Sequence, residues 1–256
     1  MPEEEILSLP QGSAKDLIKK GEMTVLSPPK EQAAAEPTIG KAKELFGEDF
    51  LGEEAIVEME RKCQQTGIDV KFEIPQAAFQ YSDEDLRKAK EDANQGRERF
   101  VSLRPSWMTH DGERKPVTLV NLRNLFKDRN PFGDGKIFWD QDWYDNEVFA
   151  KAQMPGGYAL PTKEVLSTST NTTWNDQVSL LEQGEERRKA VETTWDLILH
   201  YASTGQRLLP DKYDWGESQS SRGLRVCVGG FGQRGVHVDG WRPGDSNPDL
   251  GVCPSR

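Results

Sequence analysis

Four residues near the end of the chain have the types that chemistry most often uses: Cys227, His237, Asp239 and Cys253. Two thiols with an imidazole between them could hold copper or act as a redox pair. The two cysteines stand on different segments, however, and no cationic residue is fixed beside either one to lower its thiol pKa. The chain has 3 histidines, and their scattered positions do not supply the clustered ligands of a non-haem iron site.

A second group of candidate metal ligands is the acidic segment with Asp140, Asp142 and Asp145. Hard cations bind carboxylate oxygens, but the glycine and the terminal bidentate acid of a calcium loop are missing at the required offsets. Aromatic core packing with acidic helix starts explains the segment better. The chain also has no Ser-His-Asp order, no paired-carboxylate spacing and no phosphate-binding glycine loop. The sequence therefore predicts a protein without metal or cofactor that is not an enzyme.

Three short segments of alternating aliphatic residues must position the terminal side chains. Successive side chains of a strand point to opposite faces. The aliphatic set is predicted to be buried and comprises Val226, Val228, Val236, Val238 and Val252. The side chains between them and in the loops are predicted to be exposed, and they comprise Cys227, Phe231, Arg234, His237, Asp239, Trp241, Arg242, Asp245, Asn247, Asp249 and Cys253. This exposed set is mixed in chemistry, as a surface of interchangeable contacts would be.

Two helices are predicted just before this sheet. Thr172 or Thr173 is predicted to cap the first helix, and the second carries an apolar stripe over residues 191–202. His200 lies off that stripe and is predicted to be solvated. Further upstream, Ser82 begins a capping box that predicts another helix.

The end of the chain resembles the end of a C-type-lectin-type domain. The resemblance is carried by Val228-Gly229-Gly230, by Trp241 on the following strand and by Leu250-Gly251-Val252. More narrowly, the chain is similar to the variable proteins of diversity-generating retroelements over roughly residues 138–256. In that family, adenine-directed mutagenesis randomises codons at chosen exposed sites while core-facing residues stay fixed. Formylglycine-generating enzymes share the same broad fold.

The resemblance implies an α+β protein. Two helices and a small, mainly antiparallel sheet would form a C-type-lectin-type domain over residues 131–256, preceded by a smaller, mostly helical region over residues 38–130. Residues 223–256 would be the variable region, and its exposed residues are nearly all ones that a mutated AAC codon encodes, Gln233 and Trp241 excepted. The implied function is a ligand-binding protein that displays a diversified surface to an unknown protein or cell-surface ligand.

Two alternatives stay open at this point: an oxidase or metal-dependent enzyme of the same fold, and a structural protein. Against the first, formylglycine-generating enzymes hold their reactive cysteines close together in sequence, whereas Cys227 and Cys253 stand on different segments. In the binding interpretation, large rigid anchors could come from four aromatic residues, Tyr213, Trp215, Phe231 and Trp241.

The composition of the chain limits which binding partners and which cellular compartment are predicted. The chain of 256 residues has 33 basic against 43 acidic residues, a net charge of −10 and no basic stripe, so binding to a nucleic-acid backbone is not predicted. No apolar run reaches the length of a membrane span, and the acidic start is not a signal peptide. With 3 cysteines in no paired spacing, the sequence predicts a reduced, cytoplasmic protein, with association with a virion or cell surface left open.

Residues 1–37 are poor in large apolar side chains and are predicted to be flexible.

Overall fold

The computed structural model describes residues 39–76 and 79–256. The flexible segment predicted for residues 1–37 lies outside the described residues. The described α-helices are α1 (Ile39–Phe46), α2 (Glu53–Gln65), α3 (Asp83–Glu91), α4 (Leu119–Phe126), α5 (Val148–Lys151) and α6 (Ala190–Thr204). The described strands are β1 (Phe50–Leu51), β2 (Val70–Phe72), β3 (Val101–Arg104), β4 (Trp107–His110), β5 (Glu113–Pro116), β6 (Gly157–Ala159), β7 (Tyr213–Gln219), β8 (Arg225–Gly232), β9 (Gly235–Trp241) and β10 (Leu250–Gly251). The fold is α+β, as predicted.

Side-chain capping fixes where several helices begin and end. The Ser82 hydroxyl accepts the Asp85 backbone N–H at 3.2 Å, and the Asp85 carboxylate accepts the Ser82 N–H at 2.9 Å. This reciprocal pair is the capping box predicted for α3. Thr118 caps α4 through one such bond, and α6 ends at Gly205, whose φ of +76° is favourable for glycine.

The first of the two helices predicted before the terminal sheet is instead a 3-10 turn, Asp176–Leu180. The N-cap of this turn is Asn175, which makes no side-chain cap bond, and not Thr172 or Thr173 as predicted. The Thr173 hydroxyl does accept the Asp176 backbone N–H at 3.2 Å. A tertiary contact holds the segment next to this turn: the Trp174 indole N–H donates to the Gly216 carbonyl at 3.0 Å. Short helices are marginal by themselves, so contacts of this kind override local helix propensity.

A single main core extends from Leu51 to Cys253 and joins α2, α4 and α6 to the sheets. Residues from both sides of position 131 pack into it, and the described residues belong to one compact unit. The regions predicted as 38–130 and 131–256 therefore share one core. Among the described residues, no helix is both long and apolar enough to cross a membrane.

The prediction that His200 is solvated is wrong. Its side chain is buried, and its ring meets the Phe100 ring edge-on at a centroid distance of 5.4 Å. The stripe pattern assumes that one side of a helix faces water, but α6 is covered on nearly every side, and even Asp196 on it is buried. Burial lowers the pKa of His200, so its imidazole is neutral at pH 7.

Three small sheets pack against the helices, with strand orders β1-β3-β6, β2-β4-β5 and β10-β7-β8-β9. In the last of these, the terminal sheet, β8 is antiparallel to both β7 and β9, whereas β10 runs parallel to β7. The terminal sheet is thus mainly antiparallel, as predicted. At the outer edge of this sheet, β9 also pairs with the segment around Phe138, through a parallel bridge between Phe138 and Val236.

Candidate ligand-binding face

The reverse face of the terminal sheet is the one that packs on the main core. The five valines predicted to be buried are Val226, Val228, Val236, Val238 and Val252, and all of them are buried. Four of them, all except Val252, belong to the main core. This prediction is confirmed, and these side chains fix the position of β8 and β9.

The opposite, front face carries Cys227, and here the predicted exposure is wrong. Cys227 does point away from the main core, but its side chain is only 1% exposed. It packs with Trp215 and Leu250 in a separate cluster, onto which Trp174, Tyr213 and Trp241 also fold. A side chain that points outward is therefore buried because large aromatic rings from other segments cover it.

Phe231 and Cys253 were also predicted to be exposed, and both are buried. The β8–β9 pairing shifts register between Gly229 and Gly232, so strict alternation fails and Phe231 turns into the main core, with its ring 5.5 Å from that of Tyr201. Cys253 lies beyond the end of β10 and packs in the main core. Periodicity holds only while a strand continues without a bulge.

The pairing of β7, β8 and β9 places two rows of side chains on the front face. Tyr213, Gly229 and His237 form one row, and Trp215, Cys227 and Asp239 form the next. The Tyr213 hydroxyl lies 3.2 Å from His237 Nδ1, across the gap left by glycine. A Cβ on Gly230, whose φ is +54°, would lie 2.5 Å from that hydroxyl. Because Gly229 and Gly230 have no side chains, they leave the space that the Tyr213 ring occupies.

A small pocket opens where the front face meets the loop between β9 and β10. Its volume is about 130 Å³, and it is lined by Tyr213, Asp239, Trp241, Asn247, Asp249 and Leu250. Four of the residues predicted to bind a ligand are thus brought together here. Tyr213 was foreseen as an aromatic anchor, and Leu250 supplies an apolar wall.

The other exposed or half-buried residues of the predicted set do not line this pocket. Arg234 stacks on the Trp139 ring at 4.2 Å, and the same ring lies 4.6 Å from that of His237. Arg242 and Asp245 are exposed in the loop and close a turn through their backbone at 2.9 Å. Trp139 was not predicted as part of the face, because its aromatic and acidic segment was interpreted as core packing.

The loop over residues 242–249 is held to the protein mainly through its backbone carbonyls. The carbonyl of Pro243 accepts the backbone N–H of Trp174 at 3.0 Å, and that of Asn247 accepts the backbone N–H of Asn171 at 3.1 Å. The carbonyl of Asp249 likewise accepts the Tyr213 N–H at 2.8 Å. These bonds do not depend on which side chain each loop residue carries. One loop side chain also takes part, since the Asn247 amide oxygen accepts the Asp249 N–H at 2.7 Å. At most other loop positions the backbone is fixed without help from the side chain.

A buried ion network holds β7 from behind. The Asp214 carboxylate accepts hydrogen bonds from Arg188 Nε at 3.0 Å and from the Cys253 N–H at 2.9 Å. Arg188 also donates to Asp196 on α6 at 3.0 Å, and Arg104 on β3 donates to the same carboxylate at 2.6 Å. Burial would raise the pKa of Asp196, but these two guanidinium groups outweigh burial and hold it below its usual range.

Charges on the front face differ in how they are paired. Asp249 pairs with Lys212 at 3.1 Å, and both side chains are about half exposed, so the pair is weak. Burial raises the pKa of Tyr213, assisted by Cys227, Asp239 and Asp249. Burial also lowers the pKa of His237, so the face presents a neutral imidazole at pH 7.

The cysteines have environments that disfavour thiolates. The prediction that no cationic residue lies beside Cys227 or Cys253 is wrong for Cys253, because the Arg188 guanidinium lies next to it, although burial outweighs its effect on the thiol pKa. Burial is the largest cause of the raised pKa values of Cys63, Cys227 and Cys253, with that of Cys63 at about 12. Cys227 and Cys253 also belong to different hydrophobic clusters. All three are free thiols.

The acidic segment lines a separate cavity of about 530 Å³, in which Asp140, Asp142 and Asp145 face Arg123, Lys127 and Lys136. Arg123 pairs with Asp145 at 2.5 Å. Within the part of the chain that the structure describes, no three His, Cys, Asp or Glu residues meet as metal ligands would.

No protein-family model, curated protein or solved structure matches the chain.

Proposed function

We propose that the chain is a ligand-binding protein that displays a diversified surface on a C-type-lectin-type scaffold, as the variable proteins of diversity-generating retroelements do. The display surface is the front face of the terminal sheet with the loop over residues 242–249. Its ligand is a protein or a cell-surface molecule, and no reaction is assigned to it.

The observation that carries this proposal is the way the loop is held. Carbonyl groups of Pro243, Asn247 and Asp249 accept hydrogen bonds from elsewhere in the protein, at 3.0, 3.1 and 2.8 Å. Substitutions at most loop positions leave such bonds in place because every residue has a carbonyl group. A backbone fixed in this way suits a surface whose side chains change from copy to copy.

The structure also sharpens which positions belong to the surface. Eight of the eleven residues assigned from the sequence are exposed or half-buried, namely Arg234, His237, Asp239, Trp241, Arg242, Asp245, Asn247 and Asp249. The remaining three, Cys227, Phe231 and Cys253, are buried and are withdrawn from the assignment. Trp241, Tyr213 and Trp139 supply the rigid aromatic area that dominates contact energy in many interfaces.

A selection experiment tests the display function. The eight positions are randomised together in the full chain, displayed on yeast and selected separately against two unrelated proteins. We expect binders to each target, with different residues at the eight positions and with binding lost when those residues are returned to the parent sequence. A matched library randomises eight exposed positions on α2 and α3 and is expected to give far fewer binders. Equal yields from the two libraries would contradict the proposal.

The surrounding DNA tests the retroelement class separately. We expect a near-copy of the codons for residues 223–256 beside a reverse transcriptase gene, with differences mainly at adenines. Among those codons, the eight surface positions are expected to differ between the copies, while those for the buried valines are expected to be identical. Differences spread evenly over both groups would argue against diversification of this surface.

A further inference from the structure

The pocket at the edge of the front face combines aromatic walls with an acidic rim. Tyr213 and Trp241 are its rings, Leu250 is its apolar wall, and Asp239 and Asp249 are its carboxylates. Its volume of about 130 Å³ corresponds to roughly four water molecules and is well below the roughly 300 Å³ at which pockets for drug-sized ligands begin. The pocket is therefore sized for the end of one side chain.

Its charge is negative and only partly compensated. Asp239 has no ion-pair partner among the described residues, and its carboxylate accepts the adjacent Gly240 N–H at 2.8 Å. Asp249 has Lys212 at 3.1 Å, with side chains 55% and 42% exposed, so solvent screens that pair. Both carboxylates line the same pocket as the Tyr213 ring.

We propose that this pocket binds the ammonium group of a lysine side chain presented by a protein partner. This inference rests on the proposed display function, and it identifies the chemical group that the surface with this particular sequence binds. A cation over the faces of Trp241 and Tyr213 is attracted by the ring quadrupoles, and the rim carboxylates add charge complementarity.

Other ligand chemistries fit less well. An anion would be repelled by Asp239 and Asp249. A wholly apolar group would displace water from both carboxylates without supplying a hydrogen-bond donor in its place. A calcium ion takes six to eight oxygen ligands, whereas two rings and a leucine occupy much of this wall. A guanidinium favours a flat bidentate carboxylate, while an ammonium is a compact charge on a narrow stem, which suits a small concave pocket.

Nuclear magnetic resonance of the ¹⁵N-labelled full chain tests the proposal. The probe is Nα-acetyl-lysine methylamide, and the signal is the indole N–H of Trp241, assigned from Trp241→Phe. We expect a saturable shift of this resonance that weakens as salt is added. The neutral analogue Nα-acetyl-norleucine methylamide, which has nearly the same stem, is expected to cause no such shift.

Two variants and one matched control locate the charge. Asp239→Asn and Asp249→Asn each remove one rim carboxylate with little change in shape, and each is expected to weaken lysine binding by at least about fivefold. Asp134→Asn removes the same charge from an exposed loop position outside both the pocket and the display surface and is expected to leave binding unchanged. Because Asp249 is exposed, its variant keeps the test available even if Asp239→Asn destabilises the fold.

The outcomes separate this proposal from the display function. An equal response to norleucine, a stronger response to the arginine analogue, or no response at all would overturn the lysine assignment while leaving the selected libraries as they are. Lysine binding in a chain whose libraries fail to yield binders would support the pocket and contradict the display function.

Discussion

The two faces of β9 are built from alternating residues of one strand, yet they are held in opposite ways. Val238 on the reverse face is buried in the main core, whereas His237 and Asp239 beside it are half-buried. His237 contacts Tyr213 and Trp139, which are themselves surface residues. The sequence pattern decides the direction of each side chain, and the segments that cover a face decide its burial.

The front face is itself divided into two zones. In the sealed zone, Trp215 and Leu250 cover Cys227. The open zone holds the eight exposed or half-buried positions from Arg234 to Asp249, with the pocket between the loop over residues 242–249 and the end of β9. Trp241 lies where the zones meet, since it also packs on the Cys227 cluster. We therefore expect variation to be compatible with the fold only in the open zone, and the predictions below test that division.

The largest effect is expected when a charge is placed on the reverse face. Val238→Asp would bury a carboxylate without a partner, and we expect it to lower the free energy of unfolding by more than about 4 kcal/mol. His237→Asp puts the same side chain on the next residue, facing forward, and should cost about 1 kcal/mol through loss of the contact with Tyr213. Urea unfolding of both variants measures the difference. Similar losses in the two would show that the faces are not distinct.

The second effect concerns the buried network behind β7. Asp196→Asn leaves Arg104 and Arg188 without their shared carboxylate, and we expect a loss of about 3–5 kcal/mol in the free energy of unfolding. The pKa of Asp196 is lowered in the folded protein, so its contribution is present above the unfolded value of about 3.9 and is lost as pH falls through the folded value. Stability measured from pH 6 to pH 3 should thus fall less steeply in Asp196→Asn than in the parent chain. Parallel pH profiles would contradict the assignment.

A smaller effect is expected in the sealed zone. Cys227→Ser replaces a buried thiol with a hydroxyl that is costlier to bury, and we expect a loss of about 1–3 kcal/mol. Labelling with a thiol-reactive disulfide gives a second measure, since all three cysteines are buried. None should react rapidly in the native protein, and all should react in denaturant. Rapid native labelling of Cys227 would place it in the open zone.

The smallest effect is expected in the loop. Asp245→Ala and Arg242→Ala each truncate an exposed side chain whose position is held by the backbone. We expect each to change the free energy of unfolding by no more than about 0.5 kcal/mol. Thermal unfolding measures this, and a loss of more than about 1 kcal/mol in either variant would show that the loop depends on its side chains.

Much of this division could be predicted from local sequence. Alternation located Val226 and Val238 on the buried face, and Ser82 was recognised as a capping residue. Those features depend on neighbours within a few residues.

What sequence reasoning missed depends on distant segments. Cys227 is covered by Trp215, Phe231 is turned inward by a register shift, and His200 is enclosed because α6 is surrounded. None of these contacts is encoded in local periodicity. Trp139 joins the face for the same reason, since its segment pairs with β9 only in the folded chain.

The most direct test of the account compares two libraries in the full chain. One randomises the eight open positions assigned above, and the other randomises Cys227, Phe231 and Cys253, the buried positions that the sequence pattern had placed with them. Both are sorted for resistance to protease, which reports cooperative folding. The account predicts that most members of the first library resist and that few of the second do, although the second changes fewer residues. Equal survival, or greater survival of the second, would contradict the claim that the open zone is a display surface on a fixed scaffold.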